Sequence, residues 1–307
     1  MGQLFALMFG ASCGLGNVFA SKAMEHKDID RFTGLYTILF INNIFNFTIL
    51  FIYLIPGHSI DINVSGLVFF GIAGFLISFL SRGAFFSAIS YIGVSRASIF
   101  KITSPMYAIV GGIVILGEVL SGKALVFTTI VIAGILFISL ETMSRDHSDK
   151  TSVLYVASSI ISMPKKGIAL GLLSGFLLGI GNVFRKLGVT YVSSSIIGAC
   201  VGSMAAFFSI AIFQIIKGKG NELSEAIKNI NRDYFLSGIF SSIAMFSMFI
   251  SLKYISVSYA NSITTSESLF TMLWSIIIFG KKEILTVRTF IGAIIVITGI
   301  IFLMIFK

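Results

Sequence analysis

"GLGNVF" stands at residues 14–19, and "GIGNVF" stands at 179–184. Only Leu15 and Ile180 differ. The match widens on both sides: Gly10, Gly14, Gly16, Asn17, Val18 and Phe19 correspond to Gly175, Gly179, Gly181, Asn182, Val183 and Phe184. Further on, "YIGVSRASIFKITSPMYAIVGGIVILGE" (91–118) aligns with "YISVSYANSITTSESLFTMLWSIIIFGKKE" (254–283). The second copy carries two extra residues before Glu283. "IAGILFISL" (132–140) then matches "ITGIIFLMI" (297–305). An echo that recurs at matching intervals along the whole chain marks two homologous halves.

The solvent of these halves follows from composition. Of 307 residues, 56% are apolar and 11% are charged, with a mean hydropathy of +0.99. A soluble domain carries about 25% charged residues, so the bilayer is the expected solvent. A net charge of +9 in such a chain belongs to loops and lipid headgroups rather than to nucleic acid. Cys13 and Cys200 fall in apolar runs without metal-ligand spacing and read as small packing residues. His26, His58 and His147 are isolated in loops, so no metal site is expected.

About 20 residues are needed to cross about 30 Å of hydrocarbon. Ten stretches meet that length, at roughly 3–24, 31–54, 65–90, 95–117, 122–142, 166–189, 193–216, 234–254, 258–280 and 286–306. They are too long and too weakly alternating for barrel strands. The expected architecture is an all-α integral membrane protein of ten transmembrane helices. It comprises a first five-helix repeat (1–142), a linker (143–165) and a second five-helix repeat (166–307). The linker's middle, "SVLYVASSIISM", is too short to cross. In the loop 217–233, Leu223, Ile227 and Ile230 follow helical spacing and predict a short interfacial helix.

Five is odd, so the second repeat must enter the membrane inverted. Loop charges agree. In the first half the first and third loops carry Lys22, Lys27, Arg31 and Arg96, while the second and fourth carry only Lys123. In the second half the bias reverses. Lys217, Lys219, Lys228, Arg232, Lys281, Lys282 and Arg288 stand against Arg185, Lys186 and Lys253. Inverted repeats that meet around a midplane cavity are the signature of a secondary transporter.

Few polar groups fall within the spans. Asn17 and Asn182 follow the glycine stripes directly and serve either as bonds between helices or as a polar pair facing the pathway. Asn42 and Asn46 share one face of the second span, with the same two readings. Arg82, Lys101 and Glu267 are ionisable, and each costs about 2.5–3.5 kcal/mol in hydrocarbon. Arg82 or Lys101 suits a carboxylate or phosphate. Glu267 suits an amine or an exchanging proton, and an ion pair with one of the bases is the structural alternative. Asn261 and Ser266 belong to the hydroxyl-rich run "NSITTSES" (261–268) around Glu267. Pro105 removes an amide donor within the fourth span and predicts a kink or hinge.

The spans, the duplication, and the pairs Tyr91-Ile92, Ser104-Pro105 and Gly117-Glu118 resemble the drug/metabolite transporter superfamily, in its EamA-like branch. In the second copy the corresponding residues are Tyr254-Ile255, Ser268 in place of proline, and Gly280 with Glu283. Arg31-Phe32 matches the family's second-span arginine phrase only loosely. The resemblance implies export or exchange of small metabolites, often amino acids or related compounds, without ATP. The chain also lacks a phosphate-binding Gly-x4-Gly-Lys loop. No cofactor is expected. The expected partners are a small-molecule substrate and the lipid bilayer, with a monomer or homodimer both open and no nucleic acid. A nucleotide-sugar or organophosphate exchanger would need several bases at the cavity, and the spans offer only Arg82 and Lys101. An embedded enzyme would need a catalytic constellation, and no histidine falls within a span.

The resemblance implies termini in the cytoplasm. The odd-numbered loops nevertheless hold fifteen Lys and Arg against five for the even loops and the C-terminus, which places the termini outside. The expected location is the plasma membrane of a bacterial cell.

Overall fold

The computed structural model describes residues 1–25, 30–57, 62–92, 97, 100–145, 164–228, 230–279 and 287–305. The interfacial segment expected in the linker, the three histidines, Lys27, Arg96 and the stretch from Gly280 to Glu283 lie outside these residues.

Every described element is helical. The first repeat supplies α1 (Gly2–Glu25), α2 (Arg31–Leu54), α3 (Val64–Gly74), a π-helical turn (Phe75–Ser81), α4 (Arg82–Ile92), α5 (Ser104–Leu116) and α6 (Gly122–Arg145). The second supplies α7 (Lys165–Tyr191), α8 (Ser195–Ile216), α9 (Gly220–Lys228), α10 (Arg232–Tyr254), α11 (Val257–Thr264), α12 (Glu267–Phe279) and α13 (Val287–Ile305). Six continuous stretches are long and apolar enough to cross a membrane: α1, α2, the α3–α4 rod, α7, α8 and α10. Large apolar side chains such as Phe51, Val68, Val114, Phe208, Ile212 and Ile277 point outward. Such a surface suits lipid, not water.

The expected fourth and ninth spans are not continuous. Helix stops at Lys101 and resumes at Ser104; it stops at Thr264 and resumes at Glu267. The two breaks fall at aligned positions and close with aligned bonds. Thr103 N–H donates to the Phe100 carbonyl at 3.2 Å, and Ser266 N–H donates to the Ile263 carbonyl at 3.1 Å. Hydroxyl side chains take part as well. Thr103 Oγ1 donates to the Phe100 carbonyl, Thr264 Oγ1 to the Asn261 carbonyl and Thr265 Oγ1 to the Ser262 carbonyl. Such bonds offer the backbone an alternative to the helical ladder. Pro105 therefore does not kink a continuous helix. It occupies the first turn of α5, where no amide donor is required.

The copies interlock. α1 packs on α10 and α12 of the other repeat, and α7 packs on α3, α4 and α5. Glycines make these approaches possible at equivalent points. A Cβ on Gly10 would lie 2.5 Å from Ser266 Oγ, and one on Gly175 would lie 2.7 Å from Thr103 Oγ1. Gly14 meets Phe270 and Thr271, whereas Gly179 meets Tyr107 and Ala108. Small residues let backbones approach closely where no hydrophobic effect drives helices together.

Equivalent helices of the two copies run antiparallel. Gly134 of α6 meets Val296 of α13 while Gly299 meets Val131. Along α2 and α8, Thr33 pairs with Gln214, Asn43 with Ser203, and Asn46 with Ala199. The partner's number falls as the residue's number rises, which is the geometry that inverted copies require.

The short helix expected in the 217–233 loop is α9. Its apolar face packs on protein: Leu223 is buried with Leu35, Tyr36 and Leu39 of α2 and Ala206 and Ile210 of α8, and Ile227 lies against the same cluster. Ile230 falls beyond its end and packs with Ile38, Ile41 and Tyr234.

Candidate functional site

The break between α11 and α12 places Glu267 at the first position of a helix, half-buried and facing α1. Asn17 Nδ2 donates to its Oε1 at 2.7 Å. Cys13 stands one turn before Asn17, within the electrostatic reach of Glu267, Arg82 and Lys101. Its i, i+4 spacing to Asn17 puts both on one helix face.

Arg82 and Lys101 approach this centre from the first repeat. Arg82 opens α4 directly after the π-helical turn, whose extra residue rotates the face that follows. Lys101 ends the helical stretch before the first break, with its ammonium 5.1 Å from the centre of the Phe85 ring. No ion pair joins Glu267 to either base among the described residues. The acid is held by the Asn17 amide.

Asn182, the counterpart of Asn17, anchors a second polar node. Its Nδ2 donates to Asn261 Oδ1 at 3.0 Å, and its Oδ1 accepts from Arg185 Nη1 at 3.0 Å. Asn182 is 4% exposed, Arg185 5% and Asn261 3%. Arg185 was counted with the loop charges; α7 runs past it to Tyr191 and buries it. Its spacing of three from Asn182 was the signal that it shares the inward face. Lys186 leaves the loop count too. Its Nζ donates to the carbonyls of Leu252 and Ile255, closing the C-terminal end of α10. Asn261 and Glu267 flank the second break, so the two nodes meet at the α11–α12 segment. Ser266 lies within the second break, 1% exposed, its hydroxyl turned to Gly10 and without a partner among the described residues.

Asn42 and Asn46 belong to α2 and are buried. Asn46 Nδ2 donates to Asn42 Oδ1 at 2.9 Å and to Ser203 Oγ at 3.1 Å, and Cys200 Sγ donates to the Asn46 carbonyl. These amides bond α2 to α8. No described bond connects them with Glu267 or Asn182.

At the end of the molecule where α5 stops, Gly117 takes a left-handed conformation (φ 65°). That turn brings Glu118 onto the N-terminus of α11. Its Oε1 accepts from Val257 N–H at 2.7 Å; its Oε2 accepts from Ser258 N–H at 3.2 Å and from the Ser258 hydroxyl at 2.8 Å. A recess of about 570 Å³ opens beside this cap, lined by Glu118, Ser121, Lys186, Lys253, Tyr254 and Tyr259 among others.

The family model described as the EamA-like transporter family matches residues 1–140 and again residues 165–305. The chain belongs to the EamA-like transporter family. It is accordingly a multi-pass integral membrane protein of the drug/metabolite transporter superfamily, and its family is one of transporters rather than enzymes. The Gly-Glu pair that suggested this family acquires a physical role here, as the inter-repeat cap of α11. A crystal structure described only as that of a protein aligns with 97% of this chain and 94% of its own. The TM-score is 0.69 at 13% identity, a likeness of fold. No curated protein matches the chain.

Proposed function

We propose that this EamA-like protein is a secondary carrier that exports or exchanges small polar or amphipathic metabolites, such as amino acids or related compounds. Ten helices, two of them broken, alternate access to a central site in the plasma membrane of a bacterial cell, as a monomer or homodimer. The reading rests on one observation: the two breaks occupy equivalent positions of antiparallel copies, and an acid with no ion pair among the described residues, Glu267, opens the helix after one of them. Discontinuous helices at a repeat interface are where carriers place substrate and coupling ions. Asn17, Arg82, Lys101, Asn182, Asn261 and Ser266 surround that centre, and Pro105 starts the helix after the other break. Rocking of the copies about the glycine contacts exposes the centre to each side in turn.

Glu267 carries the coupling proton in this scheme. Asn17 Nδ2 donates to the ionised carboxylate, and protonation weakens that bond as it neutralises the charge. Counterflow of labelled metabolites across sealed proteoliposomes tests the carrier itself. Glu267→Gln retains counterflow but loses accumulation driven by a pH gradient. Undiminished pH-driven uptake in that variant rejects the proton role, and absence of counterflow in the wild type across a metabolite panel rejects the carrier.

A further inference from the structure

A buried cation normally has a counter-charge, because desolvating a guanidinium alone is costly. Arg185 has none among the described residues. One Nη1–H bonds an amide oxygen, the guanidinium carbon stands 5.0 Å from the centre of the Phe249 ring, and the Nε–H has no acceptor among the described residues. The same network holds a second orphan. Asn261 Oδ1 accepts from Asn182, while its buried Nδ2 donor is left without a partner among the described residues. Both unsatisfied groups are donors, so what they lack is an acceptor.

The surrounding charge has the same sense. Arg82 lies within charge range of Arg185. Among the described residues the acid at this centre is Glu267, with one oxygen already bonded by Asn17. We infer that Arg185 and Asn261 form an anion-binding subsite that receives the carboxylate or phosphate group of the transported molecule, and that the centre rejects organic cations. The inference rests on the carrier reading and extends it. The scarcity of bases that counted against an anion exchanger in the sequence is removed by a third base, one that α7 carries inward.

Purified full-length protein in detergent tests this with three probes at constant ionic strength: inorganic phosphate, succinate and choline. Phosphate or succinate raises the melting temperature of the wild type, and which of them does so separates a phosphate site from a carboxylate site. Choline does not. Arg185→Gln weakens binding of the stabilising anion by about tenfold or more, the worth of one charge-assisted hydrogen bond, and Arg185→Lys restores part of it. Stabilisation by neither anion, or by choline instead, overturns the subsite. So does unchanged anion affinity in a monodisperse Arg185→Gln. If that variant does not fold, unchanged affinity in both Arg185→Lys and Asn261→Ala overturns it. Counterflow is scored separately: anion binding without counterflow keeps the subsite and removes the carrier, whereas counterflow without anion binding does the reverse.

Discussion

Glu118 ends the helix of one repeat and holds the first turn of a helix in the other. Three donors converge on it, two of them backbone amides of α11 that no intrahelical carbonyl can satisfy. Removing the carboxylate in Glu118→Ala costs about 1–3 kcal/mol, by the usual worth of a cap together with charged hydrogen bonds. Glu118→Gln retains an acceptor and loses less. Thermal melting in detergent measures both, and equal melting temperatures for Ala and wild type refute the capping role. The pair Gly117-Glu118 is visible in the sequence, but its target is not, because Val257 is far along the chain and reaches Glu118 only through the packing of the copies. Asparagines teach the same lesson. Asn17, Asn46 and Asn182 look alike in apolar runs, yet one meets a carboxylate, one joins α2 to α8, and one sits between an arginine and another amide.

At the scale of the element, the length of apolar runs located the helices, because hydrocarbon thickness sets a minimum length. It did not locate the breaks. Thr103 and Ser266 sit in runs long enough to cross, and run length is blind to the local hydroxyl–carbonyl bonds that compete with the ladder. The π-helical turn before Arg82 was invisible for a similar reason: it adds a residue without changing composition. It follows the tightest helix contact. A Cβ on Gly74 would lie 2.0 Å from the Gly202 carbonyl oxygen, whereas one on Gly71 would meet nothing within 4 Å. Gly74→Ala therefore separates α3 from α8 and destabilises the protein by several kcal/mol, on the order of an overpacked core. Gly71→Ala is neutral or stabilising by up to about 1 kcal/mol, the gain in helix propensity. Unfolding curves of the two variants check this, and similar losses at both positions refute the backbone contact.

For the whole molecule, inversion is the property that matters. Arg31 begins α2 and Ser193 lies two residues before α8, the corresponding second helices of the two repeats, and antiparallel copies place them on opposite faces of the membrane. In a chain freed of Cys13 and Cys200, a membrane-impermeant maleimide applied to intact cells labels one of Arg31→Cys and Ser193→Cys and spares the other. Which one reacts also gives the sidedness of the termini. Labelling of both from one side breaks the inverted arrangement. The structure strengthens the charge argument behind it, since Arg185, one of the few charges on the poor side of the second repeat, belongs inside α7.

The sequence by itself determined the solvent, the helical class, the duplication and, through odd helix number and reversed charge bias, the antiparallel relation of the copies. These are properties of composition and order along the chain. Which polar groups meet was decided only by the tertiary structure. Asn17 reaches Glu267 through glycine contacts that let helices of opposite repeats close on each other, and Asn182 bonds Arg185 one turn further along α7 and Asn261 of α11. A polar side chain in an apolar run must find a partner somewhere, but the partner's identity depends on which helix packs beside it.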